Sequence, residues 1–593
     1  MSQLDDRVIR YLTAMARAFE PQIETVTDPN SEHSLYDQDR YASPALTYLA
    51  LYRENHPENP YAGDPAALDL YQKLIGGWVK KWEDSGGAYR FVEWPIYIMG
   101  CGLDLERDEL DGGLAERVSR LIAWWVEQDL RRPFFFTAPN HEIWKLAGAA
   151  LAGRLLDRPE WRRQAGFEAE QMLAWQTDEG FWEEGRHHGP SLKYNYVMLS
   201  ALAILARELE NDRLVEAARR LAGFIARWVF PDGVTVGAFD GRRPTLPTAA
   251  CPGLELAPEG LDLMNRALAF WERNGWLDPE AADGPIQRGA AQHDWIASAW
   301  LIYRAQWLAD QTADTSSPQA ELPAARPGAA LENHTPKFDA ALRRQGPWCV
   351  GLSGQLSDVP KIAPLFIFRL ERQNRIELWH ERASVVVGGG HNLLPDEHPL
   401  YNVWVDPGYR AEPDEYSGKT ESGPGSPAMA RRRSLYYPRA AASGIDGAAS
   451  WLELVFAHAT VRFEIEPDPQ GLAVRYEYRA EGVEELRVAL PLVVWEGGRV
   501  LTDNNPVGPE AELVEFPVAR QVEVDQPLFG ARTTLTVPAA GATRITFPIR
   551  SIQSYTTQAT EKEPPGIFAI AFVETVLDVP GRSGAGEWKL VVN

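Results

Sequence analysis

Two stretches in the first third of the chain carry residue types that could do chemistry. One is Pro139-Asn140-His141-Glu142, at the start of an apolar pattern with helical period. The other is DEGFWEEGRHHGPSLKYNY, residues 178–196, where a polar loop turns into a helix at Gly189-Pro190. Among their residues are the carboxamide of Asn140, three imidazoles (His141, His187, His188) and two phenols (Tyr194, Tyr196). That set suits β-elimination beside a carboxylate. The proton next to the carboxyl group of a uronic acid is too weakly acidic to leave unaided, and the Asn140 amide could stabilise the charge that develops as it leaves. A histidine, or a tyrosine whose pKa is lowered by nearby cations, would take that proton. A neutral phenol would then protonate the departing glycosidic oxygen. Arg186 and Lys193 flank the histidine pair and would supply the cations.

The positions follow from local helix rules. Proline is favoured at the first helical position, which makes Pro190 a candidate N1, with both tyrosines in the first two turns and both histidines just before them. A helix N-terminus also favours an anion. Plainer roles compete at each residue. Asn140 suits an N-cap. Tyr196 shares a stripe with Leu192 and Leu199, and Tyr194 keeps company with Val197 and Ala201, so either could be core. His187 and His188 are adjacent, and a regular loop cannot point both into one cleft.

Helical periodicity covers the region around these residues, with segments near 4–19, 44–54, 65–83, 93–101, 112–129, 140–156, 159–175, 191–208, 212–229, 259–274 and 289–308. Short connections make consecutive helices antiparallel hairpins. Segments such as AGAALAGRLL and VMLSALAILA are apolar nearly all round, which requires burial on both sides. The expectation is an incomplete (α/α) toroid of about eleven to twelve helices over 1–308; a solenoid is the plain alternative. Residues 309–335, rich in Ala, Pro, Ser and Thr, lack periodicity and read as a linker. From 336 to 593 alternating apolar and polar residues broken by Gly, Pro and Asp predict an antiparallel β-sandwich, with a long Gly/Pro-rich loop over 406–433 that ends in Arg431-Arg432-Arg433.

Composition narrows the partners. A net charge of −24 over 593 residues argues against nucleic acid, which needs a basic face. A polyanionic substrate would need a local basic pocket, which Arg186 and Lys193 would build. The 21 tryptophans include Trp182, a candidate stacking face for a sugar ring. Cys101, Cys251 and Cys349 are too far apart for a disulfide framework or metal spacing and read as buried thiols. No run of about 18 apolar residues predicts a membrane span, and the first helix lacks the pattern of a secretory signal, which points to the cytoplasm.

At Asn140, His187, Tyr194 and Tyr196 the sequence resembles the α/α-toroid polysaccharide lyases, the group containing hyaluronate/chondroitin lyases, heparinase II/III-like enzymes and toroidal alginate lyases. His187 precedes Tyr196 by nine residues, as in the hyaluronate/chondroitin group. The spacings Asn140 to Tyr194 and His141 to Tyr196 fit the heparinase and alginate groups. The likeness extends to VTVGAFDGRRP, residues 234–244, and implies that Arg242 or Arg243 touches substrate. It also implies a role for His391 in VVVGGGHNLLPDEH, with Asp396 and His398 as conceivable ligands of a structural metal. A structural loop is the favoured reading there, and no cofactor is expected. The heparinase-type EGPxYxxY run stands here as HGPSLKYNY, so the choice between Tyr194 and Tyr196 stays open. The implied function is β-elimination on a uronic-acid polysaccharide or oligosaccharide. No oligomeric state follows.

Fold alone does not decide the reaction. A toroidal glycoside hydrolase would need paired carboxylates, for which Asp178, Glu183, Glu184, Asp37 and Asp39 are available. A non-catalytic carbohydrate-binding role is the third reading.

Overall fold

The computed structural model describes residues 2–27, 43–87, 94–132, 139–183, 189–239, 247–278, 295–311, 320–355, 375–388, 402–406, 438–508, 516–539, 541–552, 568–577, 579 and 583–593. Two compact units divide the chain. One takes in residues 1–186, 192–227 and 247–322; the other takes in 187–191, 228–246 and 323–593.

The first unit is helical. Among the described residues it holds α1 (Ser2–Phe19), α2 (Ile23–Thr27), α3 (Ser43–Arg53), α4 (Pro65–Asp84), α5 (Trp94–Leu105), α6 (Gly112–Asp129), α7 (Pro139–Leu155), α8 (Pro159–Leu173), α9 (Leu192–Leu209), α10 (Asp212–Arg227), α11 (Gly260–Arg273) and α12 (Trp295–Gln311). All eleven predicted segments are present, with α2 as a short addition. Their burial separates two kinds. Helices α3, α5, α7, α9 and α12 are buried on nearly all sides, as their uniformly apolar sequences require. Helices α4 and α10 bury one stripe, for example Leu214, Ala217, Ala218, Leu221, Ala222 and Ile225 of α10. The chain therefore alternates inner and outer helices in hairpins, and α3, α5, α7 and α9 pack in sequence around the inside. The ring closes where α1 packs on α3, α11 and α12. Arg304 of α12 pins that closure by ion pairs of 2.9 Å to Asp5 and to Glu54. Between α9 and α12 the inner layer is completed by a single 3-10 turn, Leu254–Leu256. This arrangement is the predicted toroid.

Aromatic rings and one guanidinium from the inner helices pack against one another. Tyr97 of α5 lies 5.5 Å from Trp144 of α7 and 6.4 Å from Tyr303 of α12, centroid to centroid. The Arg207 guanidinium of α9 sits 3.8 Å over the Tyr303 ring.

The second unit is built on two antiparallel sheets. One runs β1 (Ala330–Thr335), β2 (Phe338–Gln345), β3 (Trp348–Ser353), β4 (Ile376–His380), β5 (Ser384–Val387), then β11 (Glu485–Trp495), β18 (Phe568–Leu577), β17 (Ala542–Ile552) and β14 (Phe516–Val518), with β6 (Val403–Asp406) also on β11. The other runs β13 (Asn505–Val507), β12 (Arg499–Thr502), β15 (Gln521–Gln526), β16 (Ala531–Thr536), β19 (Ser583–Val592), β10 (Gly471–Ala480), β9 (Ala459–Asp468), β8 (Ala449–Val455) and β7 (Ala440–Asp446). Their inward residues, such as Val350, Leu378, Leu490, Phe463, Val474 and Leu535, form one core.

The boundary differs from a linker ending at 335. Strand β1 begins at Ala330, and α12 extends to Gln311. Residues 228–239 also pack with the sheets rather than with the helices that flank them in sequence. Trp228 and Phe239 meet Phe338 edge-on at 5.0 and 5.6 Å, and Phe230 stacks on Trp379. That cover explains why β3, β4 and β5 are buried on both faces. Buried carboxylates fasten it: Asp232 accepts from Trp379 Nε1 at 2.8 Å and Ser384 Oγ at 2.7 Å, and Glu377 accepts from the Ala238 amide at 3.0 Å.

Candidate active site

Of the predicted residues, Asn140, His141, Tyr194 and Tyr196 sit at the N-terminal ends of two neighbouring inner helices. Pro139 is the first helical residue of α7, so Asn140 lies inside the first turn and is not the N-cap. Helix α9 begins at Leu192, which leaves Pro190 outside it rather than at N1. Two contacts fix the register between the helices. Trp144 Nε1 donates to the Val197 carbonyl at 3.0 Å, and Arg154 Nε donates to Glu208 Oε2 at 2.8 Å. The sequence offsets are 53 and 54, so the helices run parallel and level from end to end. Carried back to Asn140, that offset sets it level with Lys193 and Tyr194.

The polar atoms at this rim are unevenly satisfied. Asn140 is only 4% exposed, and among the described residues its Oδ1 has no hydrogen-bond partner. Tyr196 is 2% exposed, and its hydroxyl also lacks one. Buried polar groups are nearly always paired, and leaving one unpaired costs about 1–3 kcal/mol. Burial, with the Cys251 thiol beside it, drives the Tyr196 pKa well above that of a free phenol. Tyr196 is therefore a proton-bearing group; the lowered pKa expected of a phenolate base is absent there. Tyr194 and His141 are half-buried.

Trp182 corrects the sequence reading. It is 2% exposed and its indole N–H donates to the Met172 carbonyl at 3.0 Å, so it packs as core and presents no face to a sugar ring. Its backbone is held by a residue that the sequence reading passed over. Asn195 accepts from the Trp182 N–H at 3.1 Å and donates to the Trp182 carbonyl at 3.2 Å. Of the remaining expectations, Arg186, His187, His188, Arg242, Arg243, His391, Asp396, His398, Glu184, Asp37, Asp39 and the loop 406–433 lie outside the described residues, as does the Lys193 side chain. Among the described residues no cluster of His, Cys, Asp or Glu could hold a metal, and no helix is long and apolar enough to cross a membrane. The three cysteines are free and buried.

Two of the carboxylates near this rim are placed as follows. Asp178 is exposed. Glu142 is held by Lys145 at 2.6 Å, and Lys145 is shared with Glu168 at 3.0 Å. A second residue missed from sequence is Glu255, in the 3-10 turn of the inner layer. It is 3% exposed; Oε2 accepts from the Gly253 amide at 3.1 Å, and burial pushes its pKa up to about 7.

No family model matches the chain, and no curated protein does. Among solved structures, it is similar to the chondroitin AC lyase of Streptomyces coelicolor A3, with 12% identity, 99% of both chains covered and a TM-score of 0.46. It is also similar to a chondroitinase AC lyase solved with oligosaccharides (11% identity, 100% of this chain and 82% of that one, TM-score 0.45). A heparinase III follows at 10% identity, 93% and 76% coverage and TM-score 0.41. Likenesses this distant say nothing of the reaction, which rests on the residues at the rim.

Proposed function

We propose that the chain is a polysaccharide lyase that cleaves a uronic-acid-containing polysaccharide or oligosaccharide by β-elimination. The observation that carries this reading is the rim itself. Asn140 and Tyr196, on adjacent parallel helices, each keep a buried polar atom without a partner among the described residues. Such a cost is characteristic of sites whose partner is a ligand.

In this reading the Asn140 carboxamide binds the substrate carboxylate; a half-turn of the amide exchanges oxygen for N–H, so it can offer either. A histidine takes the C5 proton. His141 is the candidate among the described residues, and His187 and His188 are candidates from sequence. As the C4–O bond breaks and the C4–C5 double bond forms, the departing oxygen takes the Tyr196 proton. Burial suits Tyr196 to this role, because it keeps the phenol neutral. Tyr194, half-buried in the same two turns, is the phenol that an incoming polymer meets first.

The test is ultraviolet absorbance during incubation with a panel of uronic-acid polymers. Elimination yields an unsaturated, absorbing sugar end. New reducing ends without new absorbance would refute elimination and favour hydrolysis.

A further inference from the structure

We infer that Asn195 is a positioning residue for the proposed reaction: its side chain clamps the Trp182 backbone to the helix turn that carries both tyrosines. The inference rests on the lyase reading for its catalytic consequence, and on geometry for the clamp. Asn195 is 1% exposed and stands between Tyr194 and Tyr196. Its carboxamide pairs with both backbone groups of Trp182, as a neighbouring strand would. Among the described residues, Asn195 Oδ1 is the only acceptor for the Trp182 N–H. In the sequence Trp182 stands five residues ahead of His187.

The segment leading into this clamp is itself fixed. Gln176 Nε2 donates to the Gly180 carbonyl at 2.7 Å and to the Ala217 carbonyl at 2.9 Å. Arg220 Nη2 donates to the Thr177 carbonyl at 2.7 Å. The Thr177 amide donates to the Phe181 carbonyl at 2.9 Å, and the Phe181 amide returns to Thr177 Oγ1 at 3.2 Å. These bonds tie the turn to itself and to α10. The Asn195 side chain ties it by hydrogen bonds to the first turn of α9. Asparagine is a poor helix former, so its place in a helix turn calls for such a reason.

The experiment uses the full chain with Asn195→Ala and Asn195→Asp. Amide exchange at Trp182 is measured by mass spectrometry, and kcat and KM are measured on whichever uronic-acid polymer the wild type eliminates. In Asn195→Ala, exchange at Trp182 should rise about tenfold or more, since its acceptor is gone. The kcat should fall on the order of 100-fold, the effect of misplacing reacting groups by about 1 Å, with KM nearly unchanged. Asn195→Asp keeps the acceptor for the Trp182 amide but loses the donor, so protection should persist and kcat should recover in part. Unchanged exchange at Trp182 in Asn195→Ala overturns the clamp. Faster exchange with wild-type kcat and KM overturns the positioning role, and so does equal loss of kcat in both variants. If the wild type eliminates no polymer, the lyase reading fails, while exchange at Trp182 still decides the clamp.

Discussion

Replacing Glu255 with Gln should change how the helical unit responds to pH, in a direction and by an amount that its burial dictates. The carboxyl is 3% exposed, and burial raises its pKa from 4.5 to about 7. A carboxyl whose folded pKa lies above its unfolded value favours folding while protonated in both states. Its contribution is complete below about pH 4.5, falls as pH rises, and is lost above about pH 7. A shift of about 2.5 units corresponds to roughly 3 kcal/mol. Other carboxylates titrate over the same range, so the informative quantity is the difference between variant and wild type. Urea unfolding of the full chain, followed by its helical signal from pH 4 to pH 8, gives that difference at each pH. Glu255→Gln should gain about 3 kcal/mol on the wild type across this interval, whatever its standing at the acid end. A difference that stays constant with pH would refute the reasoning, because it would mean that the carboxyl does not change protonation between the folded and unfolded states as its burial requires.

Tyr196→Phe removes a hydroxyl that has no partner among the described residues, so stability should hold or rise by about 1 kcal/mol while turnover of a uronic-acid polymer is lost; thermal melts and the absorbance assay check both. Asn140→Ala should cut kcat on the order of 100- to 1000-fold, the usual loss of one donor to a developing anion, with the fold intact by circular dichroism. Gly180→Ala should destabilise by about 2 kcal/mol or more, visible as a lower Tm. The residue has φ of 103° and an added Cβ would lie 2.6 Å from the Arg220 carbonyl oxygen.

Much of the helical unit was legible in the sequence because its information is local. Periodicity and punctuation by Pro, Gly and Asp placed all eleven predicted helices, and the apolar texture of α7 and α9 foretold their burial on both sides. The first sheet was less legible. Residues 330–335 carry little apolar alternation, since β1 is nowhere fully buried, so they read as linker. The segment 228–239 sits between helical stretches in sequence, yet its aromatic residues pack on β2 and β4; pairing across more than a hundred residues leaves no local trace. At the rim, the types and spacing of Asn140 and the tyrosines were visible, whereas burial was not. Trp182 looked like a stacking face because its neighbours in sequence are polar, and its core partner lies in α8. Asn195 and Glu255 were overlooked for a related reason: both act through backbone groups, and only the fold shows which ones. A poor helix former between two tyrosines was the one available hint for Asn195.

The level pairing of α7 and α9 bears on how such a protein can change over generations. Trp144 and Val197 fasten the two staves near one end, and Arg154 and Glu208 fasten them near the other. A rod held at two points can neither slide nor tilt against its neighbour. The separation of Asn140 from Tyr194 is thus set by the staves and is independent of the chain that joins them. That spacing does not depend on how many residues join the two helices in sequence. Substitutions elsewhere in the chain can accumulate while the spacing at the rim is inherited unchanged.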